Sequence, residues 1–316
     1  MHQASGNSLT GFLLALVTAV LWGMLPIALK VLLTELTANT ITWVRFLAAA
    51  VFVCLVLFKQ GNLPGFSKLR GKAGILMLIA VAGLLSNYIL YLMGLNLLTS
   101  ETAQVVIQLA PFLMMLGGIF IFRERLLLWQ KIGAVTLVAG LLLFFNDRLF
   151  LLLTQLGQDS FGVLLVIIAA ITWACYALAQ KQLLMHYSSQ QIMLFIYAAG
   201  TLCFLPLADI SPVLELSLLH WGLLLFCCLN TIIAYGAFAE ALQHWEASKV
   251  SAVLAITPLL TILFANLAAW LWPAAPVPQA LNVWSVTGAV MVVIGSAVTA
   301  LAPVLKQWRQ AQQAQA

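Results

Sequence analysis

The amino-acid sequence predicts an all-α polytopic membrane protein, with ten transmembrane helices arranged as two inverted five-helix repeats. Three observations carry the prediction: a composition foreign to water-soluble domains, ten apolar stretches of spanning length, and an internal repeat with an odd number of spans per copy. Of 316 residues, 64% are hydrophobic and 7% charged, against roughly 25% charged in soluble domains. Lipid is the solvent that such a chain suits.

A helix needs about 20 mostly apolar residues to cross a hydrocarbon core of about 30 Å. Suitable stretches fall at residues 10–32, 40–58, 74–97, 101–121, 128–145, 162–183, 190–207, 219–241, 247–270 and 282–304. The first has no basic segment before it and is long enough to span, so it reads as a helix and not as a cleaved signal. The fifth runs on past Asn146, Asp147 and Arg148 into Leu149 to Leu153, and the seventh ends at Pro206. Cys54, Cys175, Cys203, Cys227 and Cys228 all lie within spans without ligand spacing and read as small apolar packing residues. The histidines form no metal motif, and no metal or cofactor is expected.

The net charge of +5 does not mark a nucleic-acid surface, because the basic residues alternate with loop parity. With the N-terminus inside, eleven of them fall on the cytoplasmic side: Lys59, Lys68, Arg70, Lys72, Arg123, Arg125, Lys131, Lys181, Lys249, Lys306 and Arg309. Lys30 and Arg148 fall outside, and Arg45 lies within a span; Lys30 and Lys181, at helix ends, are expected as interface anchors. The expected location is a bacterial inner (plasma) membrane with both termini cytoplasmic. Residues 306–316 read as a polar cytoplasmic tail.

Trp129 to Gly140 of the fifth span matches Trp284 to Gly295 of the tenth at six of twelve positions. The fourth and ninth spans align on Pro111 and Pro258. The third and eighth align on Tyr88 and Tyr235, with Tyr91 opposite Phe238, and the first and sixth on Trp22 and Trp173, with Lys30 opposite Lys181. Residues 1–150 and 151–305 are therefore two copies of one five-helix unit. Five spans per copy force opposite orientations, the usual construction of carriers whose halves rock about a central site.

Several residues together resemble the EamA-type family of the drug/metabolite transporter superfamily. They are Trp22-Gly23 with Pro26 in the first span, Arg45-Phe46 in the second, Pro111 in the fourth and Arg123-Glu124-Arg125 closing it. The resemblance covers nearly the whole chain. It implies a ten-helix carrier, often an exporter of amino acids, other metabolites or toxic compounds, with a cavity lined by the first, third, fourth, sixth, eighth and ninth helices. One departure is that Ala269-Trp270-Leu271-Trp272 stands where the family often repeats the acidic residue of Glu124.

Polar groups within spans face the bundle interior as a rule. Gln104, Gln108 and Pro111 share a face of the fourth helix, and Ser251, Ala255 and Pro258 the corresponding face of the ninth. Each proline frees a carbonyl four residues upstream and bends the helix. Trp22, Tyr88, Tyr91, Trp173, Tyr176 and Tyr235 have the amphipathic edges that suit a pocket wall. Substrate binding is therefore expected at Trp22, Tyr88, Tyr91, Gln104, Gln108, Trp173, Tyr176, Tyr235 and Ser251. Interhelical bonding and interfacial anchoring are the competing roles.

Gating or coupling is expected at Arg45, Glu101, Pro111, Glu240 and Pro258. Arg45 is placed to snorkel toward the outer interface or to pair with Glu101, with an outer gate or the binding of an anionic group as the alternative. Glu240, among apolar neighbours, is the candidate titrating carboxylate, with a salt bridge to a basic residue of the inner loops as the competing role. Ser86, Asn87, Asn230 and Thr231 are expected to form hydrogen bonds between helices. Gly133, Gly140, Gly288 and Gly295 are expected in packing, including a homodimer contact.

The function these features favour is secondary transport of a small metabolite, such as an amino acid or an amphipathic or aromatic compound, by alternating access and with export as the direction. The expected partners are that solute and membrane lipid, without nucleic acid, in a monomer or homodimer. Proton coupling and facilitated diffusion both fit. No nucleotide-binding motif and no convergent catalytic set is present, which argues against a pump driven directly by ATP and against an intramembrane enzyme. A non-transporting sensor or assembly factor, or a channel, is the alternative.

Overall fold

The computed structural model describes residues 8–65, 69–122, 128–146, 157–245, 247–272, 277–278 and 280–313. The Arg123-Glu124-Arg125 motif, Lys68 and the run from Asp147 to Leu153 lie outside them. The first half contains α1 (Ser8–Leu32), α2 (Ala38–Lys59), α3 (Lys72–Leu97), α4 (Ser100–Ile107), α5 (Leu109–Phe122) and α6 (Leu128–Phe144). The second contains α7 (Gln158–Leu183), α8 (Ser189–Phe204), α9 (Leu218–His244), α10 (Ala247–Leu254), α11 (Thr257–Leu271) and α12 (Val283–Gln313), with short helical turns at Leu205–Leu207 and Ser211–Leu214.

Among the described residues, six stretches are helices long and apolar enough to cross a membrane: Leu9–Leu32, Ala38–Lys59, Lys72–Leu97, Gln158–Leu183, Ser189–Leu207 and Leu218–His244. Leu128–Phe144, Thr257–Leu271 and Val283–Val298 are shorter apolar helices. The outside of the bundle is as apolar as the inside: Leu78, Val135, Leu202 and Trp270 are all more than two-thirds exposed. Soluble monomers rarely expose apolar surface on this scale, whereas lipid demands it.

Helix starts are fixed by hydroxyl caps. Thr37, Thr99, Ser188 and Ser217 each accept a backbone N–H of the turn that follows, and Ser188 with Gln191 completes a capping box. Lys30 was expected as an interface anchor, but its Nζ donates to the carbonyls of Leu95, Asn96 and Leu98 at 2.7–2.9 Å. A cation there satisfies the carbonyls that end α3 and complements the helix dipole.

The expected fourth and ninth spans are each two helices. Pro111 cannot donate to the Ile107 carbonyl and Pro258 cannot donate to that of Leu254, so the helices break at Gln108 and at Ala255–Ile256. Gln108 N–H turns back to Val105 and Ile256 N–H to Val253, both at 3.3 Å. The carbonyl freed at Leu254 accepts from the Thr257 hydroxyl at 2.6 Å. The first half has Ala110 in the equivalent place and lacks that replacement donor.

The two halves pack crosswise, with α1 lying on α9, α3 on α7, and α6 on α12. Asn230 of α9 donates to the Leu21 carbonyl of α1 at 2.7 Å, and Asn87 of α3 to the Ala169 carbonyl of α7 at 2.9 Å. Thr18 and Ala234, the counterparts of Ala169 and Asn87, are also bonded, with Thr18 Oγ1 donating to the Ala234 carbonyl at 3.2 Å. The contact is kept while the donor changes helix.

The paired glycines serve this intramolecular packing. A Cβ on Gly140 would lie 2.7 Å from Val292 N and 2.8 Å from the Gly288 carbonyl, and one on Gly295 would meet the Gly133 carbonyl at 2.6 Å. The early glycine of one helix thus meets the late glycine of the other, so α6 and α12 cross antiparallel. Three of the cysteines read as packing residues, Cys54, Cys175 and Cys203, are exposed on the outer surface, while Cys227 and Cys228 are buried.

Candidate binding cavity

A cavity of about 80 Å³ opens where the two breaks meet the aromatic belt, several times the roughly 10–15 Å³ that one water requires. Its wall includes Trp22 of α1, Arg45 of α2, Tyr88 and Tyr91 of α3, Gln104 of α4, Gln108 at the break, Pro111 of α5, Trp173 of α7 and Tyr235 of α9. These nine were singled out from the sequence. Leu25, Pro26, Leu29, Asn87, Leu92, Ile107, Ala110, Leu254 and Thr257 complete it. The lining of α1 and α3 comes mostly from the parts nearest Leu32 and Leu97, so the cavity runs from the bundle centre toward that end.

Its floor is built from symmetry-related rings. Trp22 and Trp173 meet edge to face at 5.9 Å between ring centres, and Tyr88 and Tyr235 stand 5.3 Å apart. Trp22 also lies 5.0 Å from Tyr235. Phe238 packs against both tryptophans, at 5.6 Å from Trp22 and 5.1 Å from Trp173. Its counterpart Tyr91 stands in the cavity wall and donates to Gln104 Oε1 at 3.1 Å. The aromatic core is closed on the Phe238 side and parted on the Tyr91 side.

Polar atoms are sparse and several are unpaired. Trp22 Nε1, Tyr88 OH and Ser251 Oγ are buried without a hydrogen-bond partner among the described residues. Gln108 reaches Ser296 of α12 at 3.4 Å. Arg45 does not pair with Glu101 and does not snorkel. It is 2% exposed, its Nε–H donates to Thr231 Oγ1 at 2.8 Å, and its guanidinium carbon lies 4.5 Å from the centre of the Tyr88 ring. Thr231 is held in turn by Cys227, whose carbonyl accepts its hydroxyl, and by Tyr197, which donates to its carbonyl.

Five expected site residues lie elsewhere. Tyr176 is fully buried in the core with its hydroxyl toward Met193 Sδ, because its face of α7 is turned from the cavity. Ser251 is buried in α10 outside the lining, and Pro258 sits in the first turn of α11 behind Thr257. Glu101 is buried in the first turn of α4, where the helix dipole favours a carboxylate. Glu240 is not enclosed within the bundle: its side chain is 39% exposed, accepts from Ser189 Oγ at 2.8 Å and faces His244 Nε2 at 3.5 Å. Thr257 and Pro26 were missed as site residues. Their signal was position beside a helix break and on the Trp22 face of α1.

The model of the EamA-like transporter family matches residues 9–146 and again 160–301. The chain belongs to the EamA-like transporter family. Within it, an "Uncharacterized transporter" of Haemophilus influenzae is 45% identical over 293 residues, covering 93% of this chain and 95% of its own. The Escherichia coli strain K12 "Uncharacterized inner membrane transporter YhbE" is 39% identical, covering 95% of this chain and 93% of its own. A "Probable amino-acid metabolite efflux pump" of the same strain is 25% identical, over 80% of this chain and 85% of its own. A solved crystal structure superposes with a TM-score of 0.65 at 19% identity over 92% of this chain and 96% of its own, a likeness of fold. This EamA-like chain is thus a membrane transporter by family.

Proposed function

We propose that the chain crosses a bacterial inner membrane ten times, with both termini cytoplasmic, and exports a small amphipathic metabolite as a secondary transporter. The observation that carries the reading is the unequal treatment of two equivalent residues. Phe238 closes on the Trp22–Trp173 pair while Tyr91 stands away from it. In an inverted repeat, exchanging the conformations of the halves exchanges the side that is open. The second state then has Tyr91 packed on the tryptophans and the cavity opening past Phe238. Breaks at Gln108 and at Ala255–Ile256 supply matching flexible points.

The lining, aromatic and apolar apart from Arg45 and a few amide and hydroxyl groups, suits an apolar body with a small polar head. The efflux-pump name of one relative supports a solute of amino-acid kind and the outward direction. Glu101 and Glu240 lie outside the cavity lining, which favours exchange or facilitated diffusion over coupling through a carboxylate that touches the solute.

Counterflow in proteoliposomes tests this. Vesicles loaded with an unlabelled solute should accumulate its labelled form transiently and saturably, drawn from a panel of apolar amino acids and aromatic metabolites, and Gln108→Ala should slow the exchange. Folded protein that binds a solute yet exchanges none would move the assignment to a sensor.

A further inference from the structure

We propose that Arg45 is a carboxylate-binding subsite, so that the solute is an organic monoanion with an apolar or aromatic body. The inference rests on the cavity being the transport site and names the chemistry of what enters it.

An arginine stays protonated in any protein, and a cation at this depth in a membrane protein faces a partner or a water-filled space. Arg45 has no carboxylate within ion-pair distance among the described residues. Its Nε–H is committed to Thr231 and its plane to Tyr88. The two Nη groups make no hydrogen bond to any described residue. Arg45 is also the one charged side chain among those that line the cavity. Its position is fixed from outside by the chain Arg45–Thr231–Cys227, with Tyr197 bonded to the Thr231 carbonyl. A guanidinium held by its Nε with a free end presents two parallel N–H donors, the geometry that grips a carboxylate with both oxygens.

The rest of the wall fits the same ligand. Trp22, Trp173 and Tyr235 supply apolar ring surface. The lining holds no aspartate or glutamate to pair with an ammonium. A carboxylate without an amino group should therefore bind at least as well as the corresponding zwitterion.

Equilibrium binding to the full-length protein in nanodiscs tests the claim with three probes: phenylacetate, its neutral isostere phenylacetamide, and phenylalanine. Phenylacetate should bind at least about tenfold more tightly than the amide and no more weakly than phenylalanine. Arg45→Gln should bring acid and amide within about twofold, and Arg45→Lys should restore part of the preference. Should Arg45→Gln fail to fold, the ratio in the unaltered protein decides alone. Equal binding of acid and amide, no binding of either, phenylalanine binding more tightly than phenylacetate, or a preference that survives in Arg45→Gln would each overturn the proposal. Exchange of neutral solutes with no preference for a carboxylate would sink this subsite and leave the transporter reading standing. Carboxylate binding through Arg45 without exchange would keep the subsite and remove transport.

Discussion

Trp22 and Trp173, which occupy the same place in the two halves, meet at 5.9 Å on the internal symmetry axis, and a single ring, Phe238, covers both. Phe238→Ala should unseal the closed side. The expected result is a leak of small solutes through proteoliposomes without counterflow, whereas Phe238→Tyr, which restores the residue of the other half, should keep exchange coupled. Comparing efflux with and without solute on the far side reads the difference.

Tyr91 is held to the open side by one hydrogen bond to Gln104. A neutral bond of this kind is worth about 0.5–1.5 kcal/mol. Tyr91→Phe should therefore shift the balance of open sides by about two- to tenfold and leave the protein folded, as its counterpart Phe238 already shows that a phenyl ring fits the equivalent place. Solute affinity measured from each face of oriented vesicles reports the shift.

Packing of α6 on α12 depends on the absence of a Cβ at Gly140. Gly140→Ala drives a methyl into Val292 N and the Gly288 carbonyl and should destabilise by about 1–3 kcal/mol, the range for overpacking. Gly222→Ala, with nothing within 4 Å of the added atom, should stay within about 0.5 kcal/mol. Thermal unfolding in detergent separates the two, and an unchanged midpoint for Gly140→Ala would remove the proposed brace.

Lys30→Met deletes three donors at the end of α3. Charged hydrogen bonds contribute about 1.5–3 kcal/mol each at most and are not additive, so a loss of at least about 2 kcal/mol in stability is expected, with partial recovery in Lys30→Arg. The same melting assay checks it.

Glu240 lies outside the cavity and bonds Ser189 and His244. Glu240→Gln should preserve counterflow to within about twofold, the effect of a surface contact, at every pH between 5.5 and 8. Loss of exchange, or of its pH dependence, would return this carboxylate to a coupling role.

Much of this was legible in the chain before folding. Gln104, Gln108 and Pro111 lie one and two turns apart, so one face of a helix had to carry them, and the matched Trp and Tyr pairs announced a symmetric centre. The faces that failed are those that composition leaves open. Tyr176 is three residues from Trp173, yet the rotation of α7 puts one ring at the cavity and the other in the core. Arg45 finds Thr231 across 186 residues of chain, a contact set by how α2 crosses α9 and invisible to spacing. Lys30 looked like an anchor because an end-of-span lysine serves an interface equally well, and the C-terminus of α3 arrives beside it only in three dimensions. The glycine pairs carried a packing signal without an address.

The measurement that bears most directly on alternating access is the sidedness of Gln104→Cys and Ser251→Cys, equivalent positions in the two halves, each in a background without native cysteines and labelled in oriented vesicles with a membrane-impermeant thiol reagent. Under alternating access Gln104→Cys is reached from one face and Ser251→Cys from the opposite face, each slowed by a solute that holds the other state. Labelling of both positions from the same face, or of neither in response to solute, would contradict it.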